Sequence, residues 1–170
     1  MKSRIIITGG LGFIGSHTVV ALHEAGFEPI IIDNLSNSRL SALDGIENLI
    51  GFRPQFAQIN VNDAFALKQL FEEVKPQAVI HFAAFKAVGE SVEKPLMYYR
   101  NNVGGLITLL ETMKETGIKD VVFSSSCTVY GEPSEIPVKE STETKPAESP
   151  YGATKQMGEV ILKDNSSWCN

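Results

Sequence analysis

The stretch RIIITGGLGFIGSHTVVALHEAGFEPIIID, Arg4–Asp33, decides the fold. Arg4–Thr8 has the apolar, β-branched run of a buried strand. A glycine-rich turn follows, then a helical pattern from about Phe13 to Ala25, with Gly26 as its C-terminal stop. Pro29–Asp33 resumes with three isoleucines in a row, as a parallel strand buried on both faces requires. Strand, helix, parallel strand is one right-handed crossover unit. Outward from it, the same alternation continues. A short helix is expected within Arg39–Asn48, a strand at Gln55–Asn60, a helix at Asp63–Val74 and a strand at Ala78–Phe82. A long helix is expected over Pro95–Thr116, with Pro in its first turn and Gly117 as its stop. A strand at Asp120–Ser124 and a helix at Tyr151–Lys163 complete the series. The predicted class is α/β: a doubly wound, Rossmann-like parallel sheet of order 3-2-1-4-5, with a ligand crevice where strands one and four diverge. Glu132–Pro150 is the one long irregular segment, with prolines at 133, 137, 146 and 150. It reads equally as a solvated linker or as a lid.

Composition agrees with a globular domain. The 170 residues are 43% hydrophobic, 21% charged and 8% aromatic, which excludes disordered and collagen-like classes. Fifteen basic against twenty acidic residues give a net charge of −5, which argues against nucleic acid and anionic membranes as partners. The apolar runs are far shorter than the ~20 residues of a membrane helix. Met-Lys-Ser-Arg leads straight into a strand, without the apolar core of a signal peptide. Two cysteines, Cys127 and Cys169, are too few for a disulfide framework and lack CxxC spacing. A reduced, cytoplasmic protein without a metal site is the expectation.

Three signals carry chemistry. Gly9, Gly12 and Gly15 form a GxxGxxG turn between strand and helix, where backbone N–H groups can approach a pyrophosphate at a helix N-terminus. Asp33 ends the second strand, where a carboxylate can bind the ribose hydroxyls of NAD and repel the extra phosphate of NADP. A turn cap is the plainer reading of Asp33, and Arg39 leaves NADP open. Tyr151 and Lys155 in YGATK lie at i, i+4 on one helix face, where an ammonium can draw a phenol towards its phenolate. An exposed chance pair is the alternative. Ser124-Ser125-Ser126 ends the fifth strand, and Ser126 can hydrogen-bond a substrate oxygen or simply shape a polar turn.

TGGLGFIGSHTVVAL (8–22), DNLSNS (33–38), HFAAFKAVGESVEKPLMYYRNNV (81–103), SSSCTVYGE (124–132) and SPYGATK (149–155) together resemble the extended short-chain dehydrogenase/reductase superfamily, most closely its UDP-glucose 4-epimerase branch. The resemblance implies NAD as cofactor and a UDP-hexose as substrate. It assigns Gly9, Gly12, Phe13, Ile14 and Gly15 to the pyrophosphate. Asp33, Asn34, Leu35, Asn37 and Ser38 would take the adenosine, with Asn60 and Val61 beside the adenine. Phe82, Ala83, Lys86, Asn101 and Ser124 would lie along the cofactor, with Lys155 on the nicotinamide ribose. Tyr151, Lys155 and Ser126 would be catalytic, and Lys86, Ser126 and Tyr151 would meet the sugar nucleotide. Related 4,6-dehydratases carry carboxylates after the catalytic Ser/Thr; Cys127 and Thr128 stand there, so dehydration is not expected. Asn60 stands where the family usually has Asp, which implies weaker adenine binding.

The implied activity is interconversion of UDP-glucose and UDP-galactose through a 4-keto sugar, a step of galactose metabolism. Helices 95–116 and 151–163 are implied to pair with a second copy, using Leu106, Ile107, Leu109, Leu110, Met157, Val160 and Ile161. Family members extend beyond the equivalent of Asn170 with a sugar-nucleotide-binding part. Residues 1–170 are therefore expected to form one incomplete NAD-binding domain that does not turn over alone. An NAD-binding module without turnover, or an epimerase of another sugar nucleotide, are the alternatives.

Overall fold

Five short apolar runs build one parallel sheet in a computed structural model that describes residues 2–165. They are β1 (Arg4–Thr8), β2 (Glu28–Ile32), β3 (Gln55–Ala57), β4 (Ala78–His81) and β5 (Asp120–Phe123), in the order β3-β2-β1-β4-β5. All neighbours are parallel, and β1 pairs Ile6 with Ile30 on one side and with Val79 on the other. That is the order expected from the alternation of strands and helices. The central isoleucines, Ile6, Ile7, Ile30, Ile31 and Ile32, have no solvent exposure. At the sheet's edge β5 is different, with Val122 exposed.

Among the described residues six α-helices connect the strands, α1 (Phe13–Glu24), α2 (Ser41–Ile50), α3 (Ala64–Val74), α4 (Val88–Glu93), α5 (Pro95–Tyr98) and α6 (Gly105–Thr116), and α7 (Pro150–Asp164) follows β5. α3 starts where Asp63 accepts a hydrogen bond from Ala66 N, and α7 where Ser149 accepts one from Gly152 N, with Pro150 in its first turn. Gly51 closes α2 in the left-handed conformation.

Two expectations are corrected. Pro95–Thr116 is not one α-helix: a π-helical segment, Tyr99–Gly104, separates α5 from α6. α4 was not expected, because Val88–Glu93 offers a single turn or so of helix with Gly89 inside it and no apolar periodicity. Strand three also stops at Ala57, short of Asn60. Cys169 lies outside the described residues, and Cys127 is a free, exposed thiol.

The chain divides into two compact units, Met1–Ala84 with Ile107–Ser124, and Phe85–Leu106 with Ser125–Asn170. The first holds the whole sheet and a core of Ile7, Leu11, Val19, Ile31, Leu43 and Ile46. In the second, α7 packs on α4, α5, the π-helical segment and a 3-10 turn at Cys127–Tyr130. Among the described residues no helix is long and apolar enough to cross a membrane.

Candidate active site

The glycine turn of the first unit is shaped by close backbone packing. Gly9 N donates to Ile32 O at 2.7 Å, and Gly12 N donates to Gly9 O at 3.0 Å. Gly9 has φ +70, and a Cβ on it would stand 2.8 Å from Ala83 N. A Cβ on Gly15 would stand 2.2 Å from Gly9 O, so the first turn of α1 nests directly on the loop. Gly12 caps α1 without any side-chain acceptor, which leaves first-turn N–H groups available to an anion. Phe13 and Ile14 are exposed beside them.

Asp33 is buried at the end of β2 and ties both loops together. Its Oδ2 accepts from Leu11 N at 3.1 Å; its Oδ1 accepts from Leu35 N at 2.9 Å and Ser38 Oγ at 2.7 Å. A carboxylate has about four acceptor positions, so one remains for a ligand hydroxyl. The turn-cap and ribose readings are therefore compatible. Leu35 itself takes φ +59, and Asn34 Oδ1 accepts from Ser36 N at 3.0 Å. Asn37 is exposed. Asn60 is exposed with its Oδ1 taken up by Asn62 N and Nδ2, while Val61 is buried.

At the end of β4, Phe82 packs partly against the core and Ala83 lines the glycine turn. A pair not foreseen from the sequence fixes this edge. Thr8 Oγ1 and His81 Nδ1, both buried, share a 2.7 Å hydrogen bond, and Ala83 N donates to Thr8 Oγ1 at 3.4 Å. Thr8 and His81 are register partners across β1 and β4. Two polar residues ending otherwise apolar strands were the available signal. Ser124 N donates to His81 O at 3.1 Å, just beyond β5.

The second unit carries the candidate chemistry. Ser126 Oγ caps the 3-10 turn, accepting from Thr128 N at 3.3 Å and Thr128 Oγ1 at 3.0 Å, so its own proton is left to donate. Tyr151 is half-buried in the first turn of α7, and Lys155, one turn on, is only 4% exposed. Between them Thr154 Oγ1 donates to Tyr151 O at 2.7 Å. Asn102, also missed by the sequence reading, anchors this turn. Its Nδ2 donates to Thr154 Oγ1 at 3.1 Å and Phe85 O at 2.9 Å; its Oδ1 accepts from Phe85 N at 2.9 Å and Asn101 Nδ2 at 2.9 Å. Asn102 lies in the π-helical segment, a distortion that often marks functional positions. The Asn doublet in an apolar helical stretch was its only sequence signal. Lys86 is exposed at the start of this unit.

Burial pushes the Lys155 ammonium down to about 8 from its ordinary 10.5. The folded value is depressed, so the unfolded chain holds a proton that the native state lacks between about pH 8 and 10.5. Stability therefore rises with pH across that window, and below it the native state bears the full cost, at most about 3 kcal/mol. Lys155→Met is accordingly expected to be more stable than wild type at pH 7, and the gap between them to narrow by pH 10. Urea unfolding at both pH values checks this, and curves separated equally at both would refute it.

The comparisons with known proteins fit this geometry. Residues 6–167 match the family model described as GDP-mannose 4,6 dehydratase. The chain is 47% identical over 175 residues to UDP-glucose 4-epimerase 2 of Arabidopsis thaliana, covering 99% of this chain and 50% of that protein. It is 49% identical over 160 residues to the UDP-glucose 4-epimerase of Yersinia pestis, covering 94% and 47%. Among solved structures, UDP-glucose-4-epimerase from Stenotrophomonas maltophila, with bound NAD and formylated UDP-arabinopyranose, superposes with a TM-score of 0.94 at 40% identity, covering 99% of this chain and 50% of that one. The Bifidobacterium longum enzyme in complex with NAD+ and UDP gives 0.94 at 41% identity, covering 97% and 50%. The chain thus spans about half the length of the relatives it matches. With the glycine turn, Asp33 and the Tyr151–Lys155 pair all inside the matched range, the chain belongs to the GDP-mannose 4,6 dehydratase family.

Proposed function

We propose that the protein interconverts UDP-glucose and UDP-galactose by NAD-dependent epimerisation at C4. The observation that carries the reading is Lys155. A lysine buried at a cost to stability, one helical turn from a half-buried tyrosine, is what proton transfer by that tyrosine requires. Relatives named UDP-glucose 4-epimerase support the substrate class.

In this reading residues 1–170 form the NAD-binding part of the enzyme. The cradle suits the cofactor: glycines stand where a Cβ would strike backbone, and no side chain caps α1. Gly9, Gly12, Phe13, Ile14 and Gly15 hold the pyrophosphate through main-chain N–H groups. The remaining acceptor position of Asp33 takes a ribose hydroxyl, with Asn34, Leu35, Asn37 and Ser38 around the adenosine and Asn60 and Val61 beside the adenine. Phe82, Ala83, Lys86, Asn101 and Ser124 flank the rest. NAD, when bound, would supply the hydride acceptor and donor that oxidation and reduction at C4 need. Tyr151 takes the O4 proton as C4 is oxidised and gives it back as the ketone is reduced, so no net redox change results. Ser126 donates a hydrogen bond to O4 and keeps its proton, and Lys155, while protonated, favours the Tyr151 phenolate and would bind the nicotinamide ribose. Cys127 and Thr128 supply no carboxylate, so elimination of water is not part of the cycle.

The protein is further proposed to act in the cytoplasm as a homodimer paired through residues 95–116, which hold α5, the π-helical segment and α6, and through α7. Ile107, Met157 and Val160 are the exposed apolar residues that support this. Leu106, Leu109 and Leu110 are buried within the protomer, so they do not form that surface. Residues 1–170 joined to the sugar-nucleotide-binding part are expected, with NAD, to convert UDP-galactose to UDP-glucose and the reverse without accumulating reduced cofactor, and to scatter light as a dimer, whereas residues 1–170 alone are not expected to turn over. Cofactor binding without conversion would favour the plain NAD-binding module instead.

A further inference from the structure

We infer that Gln156 and Glu159 are positioning residues for Ser126, clasping the segment on both sides of its hydroxyl to the helix that bears Tyr151 and Lys155; the inference rests on the roles proposed above for those three. On the near side, Ser125 Oγ donates to Glu159 Oε1. On the far side, Gln156 Nε2 donates to Val129 O at 2.8 Å and to Lys145 O at 2.6 Å. Gln156 Oε1 accepts from Ala147 N at 3.3 Å. Both amide protons and the oxygen of one side chain are thus spent on the 3-10 turn and the irregular segment behind it.

Gln156 and Glu159 are three residues apart, hence on one side of α7. Gln156 directly follows Lys155. Movement at Val129 reaches Ser126 through a short rigid path, because Ser126 Oγ caps the same turn at Thr128 N. α7 also lies tight on that turn: a Cβ on Gly152 would stand 3.2 Å from Thr128 O. The clasp therefore fixes where the Ser126 hydroxyl stands relative to the phenol and ammonium of α7. A single half-exposed hydrogen bond adds little to stability. A displacement of about 1 Å at a reacting group, however, can cost roughly 10²-fold in rate.

The test is a set of variants, Gln156→Met, Glu159→Ala and Glu159→Gln, in the NAD-loaded full-length protein. Gln156→Met and Glu159→Ala are expected to lower kcat about 10- to 100-fold, with KM for UDP-galactose and affinity for NAD within about twofold. Glu159→Gln keeps an oxygen that can accept from Ser125, and it should recover most of the loss seen in Glu159→Ala. Independently of turnover, amide exchange over residues 126–131 and 145–147 should quicken at least tenfold in Gln156→Met while β1 stays protected. Unchanged exchange there, or faster exchange with unchanged kcat, overturns the inference. A rise in KM alone does so as well. Wild-type protein that binds NAD but converts no UDP-hexose would reject the proposed reaction, and exchange would then decide the clasp by itself.

Discussion

In the full-length enzyme Tyr151→Phe is expected to lower epimerisation by roughly 10²–10⁴-fold, the usual contribution of a positioned acid–base group, while NAD affinity stays within about twofold. The substitution removes one hydroxyl and little else. The hydrogen bond that Tyr151 makes within α7 runs from Thr154 Oγ1 to its main-chain oxygen, so the helix turn keeps its shape. Lys155 remains buried and Thr154 remains held by Asn102. The cofactor cradle of Gly9–Gly15 and Asp33 belongs to the other compact unit of the chain, which keeps all of its own residues. Turnover of UDP-galactose under NAD saturation, together with a direct NAD titration, separates chemistry from binding. A phenylalanine variant that turned over at near the wild-type rate would remove Tyr151 from the mechanism.

How much of this was legible in the sequence depended on how local its physical cause was. The sheet was: runs such as Ile5–Ile7 and Ile30–Ile32 have no stable place except in strands covered on both faces, and the helical spacings between them force crossovers. The glycine turn was equally legible, because a left-handed φ and a close backbone approach both select for glycine. The π-helical segment was not. Nothing in the spacing of Tyr99–Gly104 announces a π-helix, and the contacts that accompany it are tertiary: Asn102 reaches the backbone of Phe85 and the hydroxyl of Thr154. Asp33 illustrates the same limit from the other side. Sequence offered a turn cap or a ribose ligand as alternatives, and only the three donors around the carboxylate show that it caps two loops and still has one acceptor position to give. For α6, apolar periodicity identified the leucines but could not say what covers them. Leu106 and Leu109 belong to the protomer's interior, Ile107 to its surface.

Gly9→Val is expected to abolish NAD binding and to destabilise the fold by on the order of 3 kcal/mol, from left-handed strain and overpacking together. Two separate penalties meet at this position. Its φ of +70 is one that a β-branched residue resists. Its Cβ would also press on main-chain atoms, 2.8 Å from Ala83 N and 3.0 Å from Phe82 C, and main chain cannot rotate away as a side chain can. Relief requires β1 and β4 to part at their carboxyl ends. There Phe82 N donates to Thr8 O at 3.0 Å and the buried Thr8–His81 bond closes the edge. The loop whose N–H groups would meet the pyrophosphate would move with them. Gly26→Ala separates the two penalties. Gly26 has φ +89 but open space around its Cβ, so it carries the backbone strain alone, about 1–2 kcal/mol, and it should leave NAD affinity unchanged. Urea unfolding and NAD titration of both variants provide the comparison. If Gly9→Val lost no more stability than Gly26→Ala, or bound NAD as wild type does, close packing of the glycine turn against Ala83 could not be what prepares this site for a dinucleotide.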